Sequence, residues 1–206
     1  VGLFPIEQAI QPHFPALIHE MLHNLGARFN GRPRHIPAAL DRNGTVVHAL
    51  LSGTYAGGSM DEVMARDYLA GRYWGAMDSN EEGFWNFETM NLKGEQKDCA
   101  VYLSFWLFSP RSLVNLLLEP NMPRLDLEFA ADDKLAVYVN GNLLDNAVKR
   151  QDNPALPQRI EGIPLEKGWN HVLLKVGQLW GGWNGRFRFI ATDPAYMRQL
   201  ESVIMQ

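Results

Sequence analysis

Leu125-Asp126-Leu127-Glu128-Phe129-Ala130-Ala131-Asp132-Asp133-Lys134-Leu135-Ala136-Val137-Tyr138-Val139-Asn140-Gly141 decides how this chain is read. Leu125, Leu127 and Phe129 alternate with Asp126 and Glu128, and Arg124 continues the polar set. Leu135, Val137 and Val139 then alternate with Lys134, Tyr138 and Asn140. A side-chain period of two is the mark of a strand with one buried and one polar face. Asn140-Gly141 supplies a hairpin turn at the end of the second run.

The same signal spreads outward. Val172, Leu174 and Val176 alternate, as do Phe187 and Phe189 between Arg186 and Arg188. Ala100 to Phe108 is apolar on both faces, which suits a central strand, and Lys167-Gly168 adds a turn. Short strands separated by turns, with no helices between them, predict an antiparallel sandwich or barrel.

Asp132-Asp133 and the strand ending at Asn140-Gly141 carry a resemblance. So do Glu166-Lys167-Gly168-Trp169-Asn170-His171 and Trp180-Gly181-Gly182-Trp183-Asn184-Gly185. Together they resemble the galactose-binding-like and PA14-like jelly rolls of bacterial secreted and surface proteins, over roughly residues 66–192. The resemblance implies a jelly-roll β-sandwich and, with it, binding of carbohydrate or of a partner protein in a secreted, periplasmic or cell-surface setting. Fold is argued more strongly than function here, because the shared residues are mostly structural.

The expected organisation is therefore mainly β. Residues 1–65 form a partly helical extension, 66–192 the jelly roll, and 193–206 a short C-terminal amphipathic helix. Phe14, Leu17, Ile18, Met21, Leu22 and Leu25 recur at helical spacing, predicting a helix near 14–25. Thr45 to Leu51 is an apolar run of undecided type. Ser59-Met60-Asp61-Glu62 has the form of a capping box. Thr192 or Asp193 can cap a last helix, with Pro194 in its first turn and a stripe of Tyr196, Met197, Leu200, Val203 and Ile204.

Composition narrows the function classes. The 206 residues carry a net charge of −4 with no basic stripe, which argues against nucleic acid. The longest apolar run, near Val101 to Phe108, is far short of the roughly 20 residues a membrane helix needs. Cys99 is the single cysteine, so no internal disulfide forms, and it suits a small buried position. The start at Val1 suggests a removed leader or a piece of a longer polypeptide, so membership of a larger assembly is expected.

Three groups of residues are candidate sites. Trp169, Trp180, Trp183, Asn184 and Arg186 offer aromatic platforms and polar groups for a sugar; Trp180 and Trp183 alternatively cover one end of the core, and Trp169 is either exposed or packed. Asp132 and Asp133 either cap loop N–H groups or help hold Ca²⁺. His19-Glu20-Met21-Leu22-His23 matches the zinc-peptidase helix motif, with His19 and His23 on the metal and Glu20 as base. Asn24-Leu25-Gly26 extends the match, but Phe29 stands where that family has its third histidine, and the two histidines also suit a plain solvated helix face. The primary expectation is a non-catalytic binding or accessory module, with a zinc metallopeptidase as the alternative.

Overall fold

The computed structural model describes residues 38–65, 74–90, 97–114, 123–144, 149–151 and 157–204. Its strands are β1 (His48–Ser52), β2 (Tyr55–Ala56), β3 (Trp74–Asp78), β4 (Trp85–Asn86), β5 (Cys99–Ser109), β6 (Leu125–Ala131) and β7 (Asp133–Val139), then β8 (Asn142–Leu143), β9 (Lys149–Gln151), β10 (Gln158–Ile160), β11 (Gly168–Gln178), β12 (Asn184–Ala191) and β13 (Glu201–Val203). Two short helices, α1 (Met60–Ala65) and α2 (Pro194–Met197), complete the described elements. The larger sheet runs β3-β1-β5-β11-β7-β8, with β2 and β13 also on β5 and β9 also on β7. The smaller sheet runs β10-β6-β12-β4. Every pairing is antiparallel, so the expected β-sandwich is what forms.

Register explains the core. β5 and β11 pair along their whole length, from Gly168 opposite Ser109 to Gln178 opposite Cys99. This puts Val101, Leu103, Phe105 and Leu107 on one face with Val172, Leu174 and Val176. Leu135, Val137 and Val139 extend that face, and Leu125, Leu127, Phe129, Phe187 and Phe189 meet it from the small sheet. Phe105 and Phe189 touch edge to face across the sandwich, centroids 6.1 Å apart. Each such buried side chain contributes roughly 1.5–3 kcal/mol relative to exposure. Cys99 lies in this core, buried and reduced.

The outer face of the large sheet is covered too. Met60, Val63 and Met64 of α1 pack on Ala100 and Ala136. Gly177 makes that contact possible, because a Cβ there would sit 2.8 Å from both methionine sulfurs. Lys175 is fully buried and donates from Nζ to the Val63 and Met64 carbonyls at 2.6 and 3.1 Å. A cation on the last carbonyls of a helix is the favourable polarity. The expected capping box is present: Ser59 N donates to Glu62 Oε2 at 2.8 Å.

Two segments differ from expectation. β1 and β2 belong to the large sheet, so the sandwich draws on chain before residue 66. β1 is buried on both faces from Ala49 to Ser52, and a strand buried on both faces loses its alternation. The C-terminal helix is only Pro194–Met197, capped by Asp193. The chain then turns back to strand instead of remaining helical, because β5 offers open ladder positions at Trp106 to Phe108 that β13 fills. Tyr196 is buried there, its hydroxyl 2.6 Å from Ser109 Oγ.

Candidate functional site: a polar groove on the small sheet

The outer face of the small sheet carries charge in a regular pattern. Phe187 and Phe189 point into the core, so Arg186 and Arg188 of β12 point out. Opposite Arg188 in the ladder is Glu128. On the same sheet Arg124 grips Asp126 through Nε and Nη2 at 2.8 and 3.0 Å and reaches Glu161 at 3.2 Å. Arg159 pairs with Glu128 at 3.4 Å. Among the described residues, Arg186 and Arg188 have no such carboxylate partner.

Those two guanidinium groups line a groove of about 470 Å³. Asp41, Asn43, Thr45, Glu81, Glu82 and Phe84 form the rest of its polar wall and its ring. The walls are fixed by backbone and side-chain bonds, several of them between the groove residues themselves. Asp41 Oδ1 accepts from Asn43 N at 2.9 Å and Thr45 N at 2.7 Å, closing an Asx turn. Val46 N donates to Phe187 O, and Phe189 N to Gly44 O, stitching this segment onto β12. Asn80 Oδ1 accepts from Glu82 N and Phe84 N at 3.0 and 2.8 Å, shaping the opposite wall. Gly83 closes its floor at φ +80, where a Cβ would lie 2.5 Å from Thr45 Cγ2. Trp85 is fully buried, and its Nε1 donates to Val46 O at 2.9 Å, tying the two walls together.

Inside the groove the chemistry is mixed. Arg186 lies over the Phe84 ring, 5.5 Å from its centroid. Arg188 Nε donates to Asn43 O at 3.1 Å and leaves its terminal nitrogens for a ligand. Glu81 and Glu82 are exposed acceptors on the rim. Fixed donors, acceptors and one ring in a concave polar site match a ligand rich in hydroxyls, since a hydroxyl both donates and accepts.

The sequence-predicted residues scatter. Trp183 is fully buried against Phe87, ring centroids 5.4 Å apart, and offers no platform. Trp169 is 5% exposed and packs edge-on to Phe108. Trp180 is 72% exposed at the tip of the β11–β12 loop. Asn184 starts β12 and Arg186 lies in the groove. Asp133 caps the loop, its Oδ2 accepting from Leu179 N. Burial and the neighbouring Asp133 carboxylate raise the Asp132 carboxyl above its ordinary range. Among the described residues, no three His, Cys, Asp or Glu side chains gather to hold a metal ion. His19, Glu20 and His23, and the helix expected near 14–25, lie outside the described residues.

Sequence reasoning also missed a pair on the large sheet. Ser104 and His171 stand on neighbouring strands, with Oγ and Nε2 2.8 Å apart, and Trp106 lies against the imidazole. Burial lowers the His171 pKa to about 4. In the unfolded chain this imidazole protonates near its usual 6.5, so between those values the unfolded chain holds the extra proton. Its contribution is complete above pH 6.5 and is lost progressively as pH falls towards 4, up to about 3 kcal/mol. Urea unfolding of the wild type and of His171→Gln across pH 4–7.5 is expected to show a shallower acid loss in the variant. Parallel curves would remove His171 from the account.

Fold and groove together define an antiparallel β-sandwich with a polar groove on its smaller sheet. Among solved structures the chain is similar to a β-glucosidase from Kluyveromyces marxianus in complex with glucose, at 14% identity and TM-score 0.42 over 73% of this chain and 16% of that one. It is similar to the epithelial adhesin 9 A domain of Candida glabrata in complex with Galβ1-3GlcNAc, at 11% identity and TM-score 0.42 over 81% and 93%. A family 35 carbohydrate-binding module from an environmental isolate is similar at 14% identity and TM-score 0.37 over 64% and 89%. Likeness at this level assigns no ligand to this chain. No protein-family model and no curated protein matches it.

Proposed function

We propose that this chain is a non-catalytic carbohydrate-binding module of a secreted or cell-surface assembly, and that the groove on the small sheet is its binding site. One observation carries the reading. Arg186 and Arg188 stand without carboxylate partners in a concave site, while Arg124 and Arg159 on the same sheet are neutralised. Exposed arginines usually find a carboxylate or leave it to water; two held by a rigid strand beside Phe84, Glu81 and Glu82 are arranged for an external partner. Sugar hydroxyls suit this set because they accept from guanidinium and donate to carboxylate. A protein partner is the other expectation from the sequence, and the rim carboxylates give it no continuous apolar centre to bury.

Capture of the purified chain on a panel of immobilised neutral and acidic glycans tests this. Retention on at least one glycan, competed by the same glycan in solution, is the expected result. A chain that no glycan retains sinks the reading.

A further inference from the structure

The exposed Trp180 is not explained by the groove. Tryptophan is rarely left in water, yet 72% of this one is exposed. The loop that carries it is held in place: Gln178 Nε2 donates to Gly181 O at 2.8 Å. It is also next to the start of β12, because a Cβ on Gly182 would lie 3.9 Å from Asn184 Nδ2.

β12 joins the two features. Asn184, Arg186 and Arg188 are alternate residues of one strand and share its outward face. Asn86 stands beside Asn184 across the β4–β12 ladder and is exposed. From Arg188 to Asn184 the strand rises about 13 Å, and Trp180 precedes it in the loop that leads into β12. That row begins in the groove, passes the half-buried Asn184 beside the exposed Asn86, and leads into the loop that carries an exposed indole. One pyranose ring does not span it; several linked rings do.

Resting on the carbohydrate reading, we propose that the groove is one end of an extended track along β12, and that the ligand is an internal stretch of a neutral, linear glycan whose far end stacks on Trp180. The track alternates polar side chains that accept and donate, with Phe84 under Arg186 in the groove and the exposed Trp180 on the loop. Neutral sugars fit because the charges of the lining nearly balance, Asp41, Glu81 and Glu82 against Arg186 and Arg188, which leaves no net attraction for an added negative charge. A chain that runs straight fits because the strand does.

Cello-, xylo- and manno-oligosaccharide ladders, from monosaccharide to hexasaccharide, separate the possibilities by titration calorimetry. The expected affinity rises at least about tenfold from monosaccharide to tetrasaccharide and then levels off. Trp180→Ala, an exposed change that leaves the urea midpoint in place, is expected to weaken hexasaccharide binding about tenfold and monosaccharide binding not at all. Equal affinity for every length, or indifference of the hexasaccharide to Trp180→Ala, overturns the track and leaves the groove reading standing. Binding that falls as strongly for the monosaccharide places Trp180 in the groove site itself and also overturns it. No binding by any ladder overturns the track, and the groove reading falls with it only when the full panel of neutral and acidic glycans also retains nothing.

Discussion

Trp85→Ala is expected to destabilise the chain by about 4 kcal/mol, the upper range for removing a buried aromatic. Trp85 has no exposed surface and lies in the main core. Its removal leaves a cavity and orphans the Val46 carbonyl, which accepts from Nε1 deep in the structure. The residue also sits between the groove walls: Phe84 precedes it, and Val46 belongs to the segment stitched onto β12. Trp85→Phe keeps most of the volume and loses the hydrogen bond, so a smaller loss of about 1–2 kcal/mol is expected. Urea unfolding followed by circular dichroism measures both. Trp180→Ala is the internal contrast, since an exposed side chain is expected to change stability by less than about 0.5 kcal/mol. A Trp85→Ala loss under about 1 kcal/mol would contradict the packing described.

The largest functional effect is expected from removing both groove arginines. Each of Arg186→Ala and Arg188→Ala takes away planar donors that hydroxyls can accept from, and each is expected to weaken glycan binding about tenfold. The double variant is expected to lose about a hundredfold if the two contacts act independently. Neither guanidinium holds a carboxylate in the fold, so stability should move little, by about 1 kcal/mol or less. Arg188 carries the larger structural share through its bond to Asn43 O. Arg124→Ala is the control on the same sheet: it frees the buried Asp126 carboxylate and should cost stability, but it leaves the groove wall intact.

Much of the sandwich was legible because its strands keep one strictly apolar face and place polar residues on the other. β6, β7, β11 and β12 show period two in Leu125 to Phe129, Leu135 to Val139, Val172 to Val176 and Phe187 to Phe189, and all four form as expected. β1 was not legible. Ala49 to Ser52 is buried on both faces of its strand, so its burial lacks alternation. The last strand was hidden for a different reason: Glu201 to Val203 has a helix-like apolar spacing, and only the open edge of β5 makes it a strand.

The site was harder. Arg186 was visible, but Phe84, the ring it lies over, was not. Glycines around Trp183 left sugar platform and core cover both open, and the ring is drawn into the core beside Phe87. The true companions of Arg186 come from two other segments, 41–47 and 81–84, more than a hundred positions away in sequence. Nothing local in Asp41, Asn43, Glu81, Glu82 or Phe84 marks them as one wall; register and the Val46–Phe187 bond bring them there. The missing partner of an arginine is likewise a spatial fact, invisible in composition.

The most direct measurement is a calorimetric titration of the native chain and of Arg186→Ala/Arg188→Ala with the same glycan, chosen from the panel as the strongest binder. The account predicts saturable binding by the native chain, about a hundredfold weaker binding by the double variant, and nearly coincident urea unfolding curves for the two. Equal affinity in a folded double variant would contradict it and place the binding site elsewhere on the sandwich.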